Sequence, residues 1–405
     1  MRLKEDTKNY LLVFILLFFS GNPFENILRD FLGGNYTTIF AFVLTLIILN
    51  FKLYKAPDFF ILLTKILVTL LLIFLFQLIT LGFVSWFGAF NFMLKIVTGG
   101  LIIYALNDQF FFYFFKLLYW LCGISLILYV LINILKVPFP NVVTSPENYS
   151  YFIYSTSEYH ILKNQGMFWE PGAFAGIITL CLALNFNNLH YYWQEHRLKL
   201  MVVVLALLST QSTTGYLVTF IIAASYILNK KNKGLAFVLL PLLSFGGLYL
   251  YESIPFLKTK VELQYQQLYE LDSDEFSNSR FGSMLFDWYY IKKNPFTGNG
   301  MHESTRYADH PILIYLIEQG ENLGHGNGFS NFLASMGIIF VVGYFILVYK
   351  ALFKEGKFYA FLVLIIIFLN LQGEQWFNFL IYLGIPFISF NSQPAEEEIE
   401  LELEE

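Results

Sequence analysis

The chain has 405 residues, of which 57% are hydrophobic, 20% aromatic and only 14% charged, with a mean hydropathy of +0.57. Soluble domains carry about 25% charged residues, so this balance argues against a soluble enzyme or a nucleic-acid-binding domain and predicts an all-α polytopic membrane protein. The net charge of −5 comes from seven glutamates in the last eleven residues, AEEEIELELEE, without which the remainder is near +2.

Twelve apolar stretches approach the roughly 20 residues needed to cross about 30 Å of hydrocarbon. They fall near 10–20, 36–54, 58–84, 89–106, 110–135, 168–186, 198–212, 215–229, 235–252, 327–349, 358–372 and 375–390. The first, YLLVFILLFFS, follows a charged start without a small-residue cleavage site, which predicts a span rather than a cleaved leader. Residues 1–390 are then a single transmembrane domain and 391–405 an acidic cytoplasmic tail. The two cysteines, Cys122 and Cys181, lie inside apolar runs, which argues against a disulfide framework or a thiolate metal site.

Lysine and arginine in short loops set orientation. A cytoplasmic N-terminus places Arg2, Lys4, Lys8, Lys52, Lys55, Arg197, Lys199, Lys230, Lys231, Lys233, Lys350, Lys354 and Lys357 inside. The short outer loops then keep only Arg29, Lys136 and Lys163, and both termini are cytoplasmic. This assignment requires two short spans to meet at the polar turn STQSTTG. Within the spans, Lys65, Lys95 and Lys116 have no evident acidic partner.

Two longer segments face outward, 136–167 and 253–326. The first has prolines at 138, 140 and 146 and many Tyr, Ser and Asn residues. The second contains an amphipathic pattern in LKTKVELQYQQLYEL and a helix-start signal in DHPILIYLIEQGENLG.

At NQGMFWEPGAFAG, Pro171 suits a first helical position and puts Glu170 at the N-cap, where the helix dipole favours a carboxylate. Trp169 precedes it, and Gly172 and Gly176 form a small-xxx-small pair for close helix packing. Glu170 either only caps this helix or is offered to a site. Lys163 either contacts a phosphate or snorkels to the interface. Ser209 to Thr214, with Ser212 and Thr213 at their centre, supply ligand donors or simply satisfy a turn. Arg280 carries the donor fork best matched to a diphosphate, while Asp287, Lys292 and Lys293 are expected to be solvated helix charge. GNG at Gly298–Gly300 reads as a turn. His325, opening HGNGFSNFLASMG with Asn327 beside it, can take a proton from a hydroxyl near neutral pH or act only as an interfacial hydrogen-bonding group. Glu374 in the GEQW turn is a second carboxylate, and no His/Cys/Asp spacing suggests a bound metal.

In order along the chain, KNQGMFWEPGAFAG, LLSTQSTTGYL, NSRFGS, PFTGNG and HGNGFSNFLASMGI resemble the O-antigen polymerase/ligase superfamily, the Wzy polymerases and WaaL-like ligases. The resemblance covers roughly residues 140–345 and includes a large outer loop before the last three spans. The chain departs from the family at Lys163, where arginine is usual; lysine keeps the charge but loses the bidentate fork. The resemblance implies a GT-C-like membrane glycosyltransferase of the bacterial inner membrane, active on the periplasmic face and using neither metal nor cofactor. Its donor would be a saccharide on undecaprenyl diphosphate, and its acceptor another lipid-linked repeat unit. Within it His325, Glu170 and Arg280 would be catalytic, with Lys163, Ser212, Thr213, Trp169 and Asn327 binding substrate. Partners would be the bilayer and a chain-length regulator or flippase of the same pathway, with no nucleic acid. Two alternatives stand beside polymerisation: ligation of glycan to lipid A core, and a flippase or transporter, which predicts charged groups at mid-membrane and on both faces.

Overall fold

The computed structural model describes residues 4–31, 36–50, 57–145, 148–160, 162–229, 280–301, 327–373 and 379–388. These residues are mostly helical, as the composition predicts. In chain order the helices are α1 (Glu5–Phe18), α2 (Phe24–Phe31), α3 (Thr37–Ile48), α4 (Pro57–Leu81), α5 (Trp86–Leu106) and α6 (Phe110–Leu128). They continue as α7 (Pro171–Leu184), α8 (Leu189–Glu195), α9 (Arg197–Ser209), α10 (Thr213–Asn229), α11 (Arg280–Lys293), α12 (Gly328–Leu352), α13 (Lys357–Leu371) and α14 (Leu380–Gly384).

Among the described residues, three helical runs are long and apolar enough to cross a membrane: Pro57–Leu81, Trp86–Ile134 and Gly328–Glu355. A fourth joins them if α7 and the following helix, bent by 70°, count as one span. The 49 residues of Trp86–Ile134 exceed twice the about 20 needed for one crossing, and Asn107 breaks the run with a φ of 47°. α4 turns apolar side chains outward, with Leu72 and Ile79 61% and 80% exposed, as a helix in contact with lipid would. The other described helices that fall on predicted spans before the last run 12–17 residues, short of the about 20 needed for a full crossing. Of the stretch expected at 375–390, residues 379–388 are described; they hold the five-residue α14 and a 3₁₀ turn, Ile385–Phe387, both buried throughout. It threads the protein interior because Gly99 and Gly384 let it lie directly on α5; a Cβ on Gly99 would stand 2.3 Å from Leu380 O. The stretch expected at 235–252, the amphipathic segment at 257–271 and the helix start at 309–324 lie outside the described residues.

At the centre is α7, whose residues are almost all buried; its run of Ala, Gly, Ile and Leu admits close neighbours on every side. The predicted loop 136–167 is more structured than its prolines suggest. It folds a three-stranded antiparallel sheet, β1 (Val142–Ser145), β2 (Asn148–Ser150) and β3 (Ser155–Ser157). Ser155 N–H donates to Gly166 O at 2.7 Å, tying the sheet to the chain that leads into α7.

Two charge expectations change. Glu25 on α2 interacts electrostatically with Lys95 of α5, so that lysine does face an acid. Glu25 also accepts from Thr37 Oγ1 at 2.9 Å. The two residues are 70 positions apart, so their interaction appears only once the chain is folded. Asp287 is not solvated: it is 1% exposed and accepts a 2.6 Å hydrogen bond from Ser330 Oγ. Lys292 and Lys293 on the same helix are exposed, as expected.

Candidate functional site

The elements singled out in the sequence meet in two pairs. The first joins the approach to α7 with the α9–α10 turn. Asn164 Nδ2 donates to Ser209 Oγ at 2.9 Å and to Ser125 Oγ at 3.1 Å, while its backbone N–H donates to Ser209 O at 3.0 Å. Its side-chain oxygen accepts from Gly166 N–H at 2.9 Å, completing a buried amide with both ends bonded. One step further in, Gly215 lies against α7 so closely that a Cβ there would be 2.8 Å from Ala175 Cβ.

Within this pair Glu170 is the N-cap of α7, in extended conformation and with Pro171 in the first turn. Its carboxylate makes no capping hydrogen bond and is half-buried. Trp169 packs its ring on Gly21, where a Cβ would be 2.1 Å from the indole, and lies 5.2 Å from the Phe379 ring. Lys163 is half-buried, with its backbone N–H bonded to His160 O at 2.9 Å. Ser212 Oγ accepts from Gly215 N–H at 3.2 Å and so caps the start of α10, the local role open to it in the sequence. Thr213, next to it, is half-buried.

The second pair is tighter. α12 breaks at Gly337, with φ 73° and ψ 172°, and the PFTGNG segment crosses it at the break. A helix break frees backbone groups that must find partners. Here Ile338 N–H donates to Pro295 O at 2.8 Å and Ile339 N–H to Phe296 O at 3.2 Å. In return Asn299 N–H donates to Ala334 O at 2.8 Å and Gly300 N–H to Ser335 O at 3.1 Å. Gly298 and Gly337 make the contact possible: a Cβ on Gly298 would be 2.3 Å from Ser335 O, and one on Gly337 2.3 Å from Phe296 O. What looked like an isolated turn is therefore half of a backbone crossing.

Above the crossing, Asp287 and Ser330 join α11 to α12, and Arg280 is the first residue of α11. Asn327 is the N-cap of α12; its side-chain oxygen accepts from Ser330 N–H at 3.0 Å. Asn327 Nδ2 donates to Gln372 Oε1 at 3.1 Å. His325 and Glu374 lie outside the described residues.

The end of α13 bridges the two pairs. Gln372 holds Asn327, and two residues earlier Asn370 reaches α7. Asn370 Nδ2 lies 3.2 Å from both Gly176 O and Thr179 Oγ1, and the Tyr382 hydroxyl donates to Gly176 O at 3.3 Å. Gly176 thus contributes a shared acceptor. Sequence reasoning missed Asn164, Asp287, Asn370 and Gln372. For Asn370 a signal existed: it is a lone amide in an apolar run, and such a group needs buried partners.

No protein-family model matches the chain, and no curated protein is significantly similar to it. Among the described residues no cluster of three or more His, Cys, Asp or Glu side chains could hold a metal ion.

Proposed function

We propose that the protein is a membrane-embedded glycosyltransferase that polymerises saccharide repeat units carried on undecaprenyl diphosphate. The observation that carries this reading is the convergence of segments far apart in sequence. Through the end of α13, the elements resembling those of the O-antigen polymerase/ligase superfamily join in one connected set of contacts.

Chemically, such a transfer forms a glycosidic bond at the acceptor hydroxyl while the donor's anomeric carbon loses its bond to the diphosphate. The leaving diphosphate develops charge that Arg280 and Lys163 would stabilise, and the hydroxyl proton would pass to His325, or to Glu170 as second choice. A half-buried carboxylate that takes no capping bond is free to orient an acceptor hydroxyl, which supports giving Glu170 a place in the site. Asn327 would act through its hold on the start of α12 rather than as a free ligand group. Ser212 and Thr213 would shape the wall beside Glu170. In this reading the outward face is periplasmic and the chain spans a bacterial inner membrane.

The test is the glycan chain-length ladder of cells carrying Arg280→Ala or His325→Ala, with membrane insertion checked in parallel. Loss of the ladder with single repeats still attached to core is the expected result. Loss of all attachment would instead indicate ligation to lipid A core. A normal ladder with normally inserted protein would overturn the catalytic assignment.

A further inference from the structure

We infer that Tyr129 and Gln211 are positioning residues for Lys163, fixing the point from which its ammonium meets the diphosphate of the lipid carrier. The inference rests on the glycosyltransferase reading above, in which Lys163 helps to stabilise the leaving diphosphate.

Both peptide groups that flank Lys163 are hydrogen-bonded. In the first, Leu162 O accepts from the Tyr129 hydroxyl at 2.8 Å and from Gln211 Nε2 at 3.1 Å, while Lys163 N–H donates to His160 O at 2.9 Å. In the second, Asn164 N–H donates to Ser209 O at 3.0 Å. A peptide group is planar, so setting the two planes sets φ and ψ of Lys163 and the direction in which its side chain leaves the backbone. The anchors come from separate elements. Tyr129 begins the π-helical turn Tyr129–Ile134 at the end of α6, and Ser209 and Gln211 belong to the junction of α9 and α10.

The chain beyond Lys163 is as firmly built. Asn164 makes the four bonds described above. Gln165 is fully buried; with its amide oriented by its partners, it donates to Trp169 O at 3.2 Å and accepts from Ser157 N–H at 3.1 Å. Residues 164–168 are all buried. Lys163 differs: it is half-buried, and its ammonium makes no hydrogen bond or ion pair among the described residues. A fixed backbone beneath an unengaged cation suits a ligand, because less freedom is lost when that ligand binds. Lysine gains more from this than arginine would, since its stem is flexible and its point charge has no fork to set direction.

Satisfying the Leu162 carbonyl does not call for both donors. Leu162 is 63% exposed, and a carbonyl in that setting can bond to water. Gln211, moreover, follows the end of α9 with a φ of 51°, a left-handed conformation in which glycine is the usual residue. A side chain is disfavoured there, and the hydrogen bond that glutamine makes and glycine cannot is the one to Leu162 O.

The test titrates detergent-purified protein with undecaprenyl diphosphate and reads the half-saturating concentration from thermal stabilisation, with undecaprenol as the phosphate-free control. Tyr129→Phe removes the hydroxyl alone. Gln211→Gly removes the amide while relieving the backbone, so its melting temperature without ligand should stay close to wild type. Each should raise the half-saturating concentration about threefold and the two together about tenfold, the equivalent of about 1.4 kcal/mol. In a Lys163→Ala background, itself about tenfold weaker, neither should weaken binding further. A purely structural role would instead lower the melting temperature and leave the affinity unchanged. Wild-type affinity in either single variant, equal weakening with and without Lys163, or wild-type affinity in Lys163→Ala would each overturn the inference alone. A wild type stabilised no more by undecaprenyl diphosphate than by undecaprenol would overturn the glycosyltransferase reading, and the inference with it.

Discussion

Replacing Gly337 by alanine should separate the backbone crossing, and Gly343 on the same helix provides a matched control. A Cβ at Gly337 would lie 2.3 Å from Phe296 O and 2.5 Å from Thr297 N, both of them main-chain atoms. Relief requires the two chains to part by about 1 Å, which carries hydrogen bonds of 2.8–3.2 Å beyond useful range. Four backbone bonds at about 1 kcal/mol each, together with about 1–3 kcal/mol for a non-glycine residue in this conformation, give about 5–7 kcal/mol in all. At Gly343 nothing lies within 4 Å of the added methyl, and alanine there should stabilise the helix by about 0.5–1 kcal/mol. The assay is fluorescence-detected gel filtration of detergent-solubilised protein after heating. Gly337→Ala should melt about 10 °C or more below wild type, and Gly343→Ala at or above it. If the two variants melt within about 2 °C of each other, the crossing is not a stabilising contact and the argument fails.

Asp287→Ala removes the acceptor of the 2.6 Å bond that links α11 to Ser330, and should cost about 1.5–3 kcal/mol in the same heating assay, with Asp287→Asn intermediate. Equal stability of Asp287→Ala and wild type would show that α11 is held by its apolar contacts alone. At the loop that precedes α9, burial first and the Lys199 ammonium second push the His196 imidazole below its ordinary value. Protonation therefore favours the unfolded chain: the folded state keeps its full stability above about pH 6.5 and loses some as pH falls through the lowered value. His196→Gln should flatten that part of the stability profile, and an unchanged slope would remove the effect from His196.

The sequence made several particulars legible for simple reasons. Pro171 after Glu170 marked a helix start because proline's fixed φ and missing N–H suit only that turn, and α7 begins there. The STQSTTG turn between two short helices followed from the need to keep the basic residues on one side, and α9 and α10 do meet at Thr210–Ser212. The span expected from residue 327 does start there as α12, although Asn327, expected to bind substrate, is its N-cap. All of these depend on neighbours within a few positions, where backbone preference and hydropathy act directly.

What only the tertiary structure decided is which distant groups answer one another. Asp287 looked like surface charge because nothing near it in sequence is its partner; Ser330, 43 residues away, buries it. Gly298 suggested a local turn and Gly337 lay inside a predicted span, yet their shared purpose is to let two backbones touch. Gln77 and Asn370 were single amides in apolar runs until the fold brought carbonyls from distant segments within 3.2 Å. Local chemistry dictates where a helix starts and which stretches leave water. A buried polar group, however, is stable only beside its complement, and that complement is supplied by packing, which no short stretch of this chain encodes.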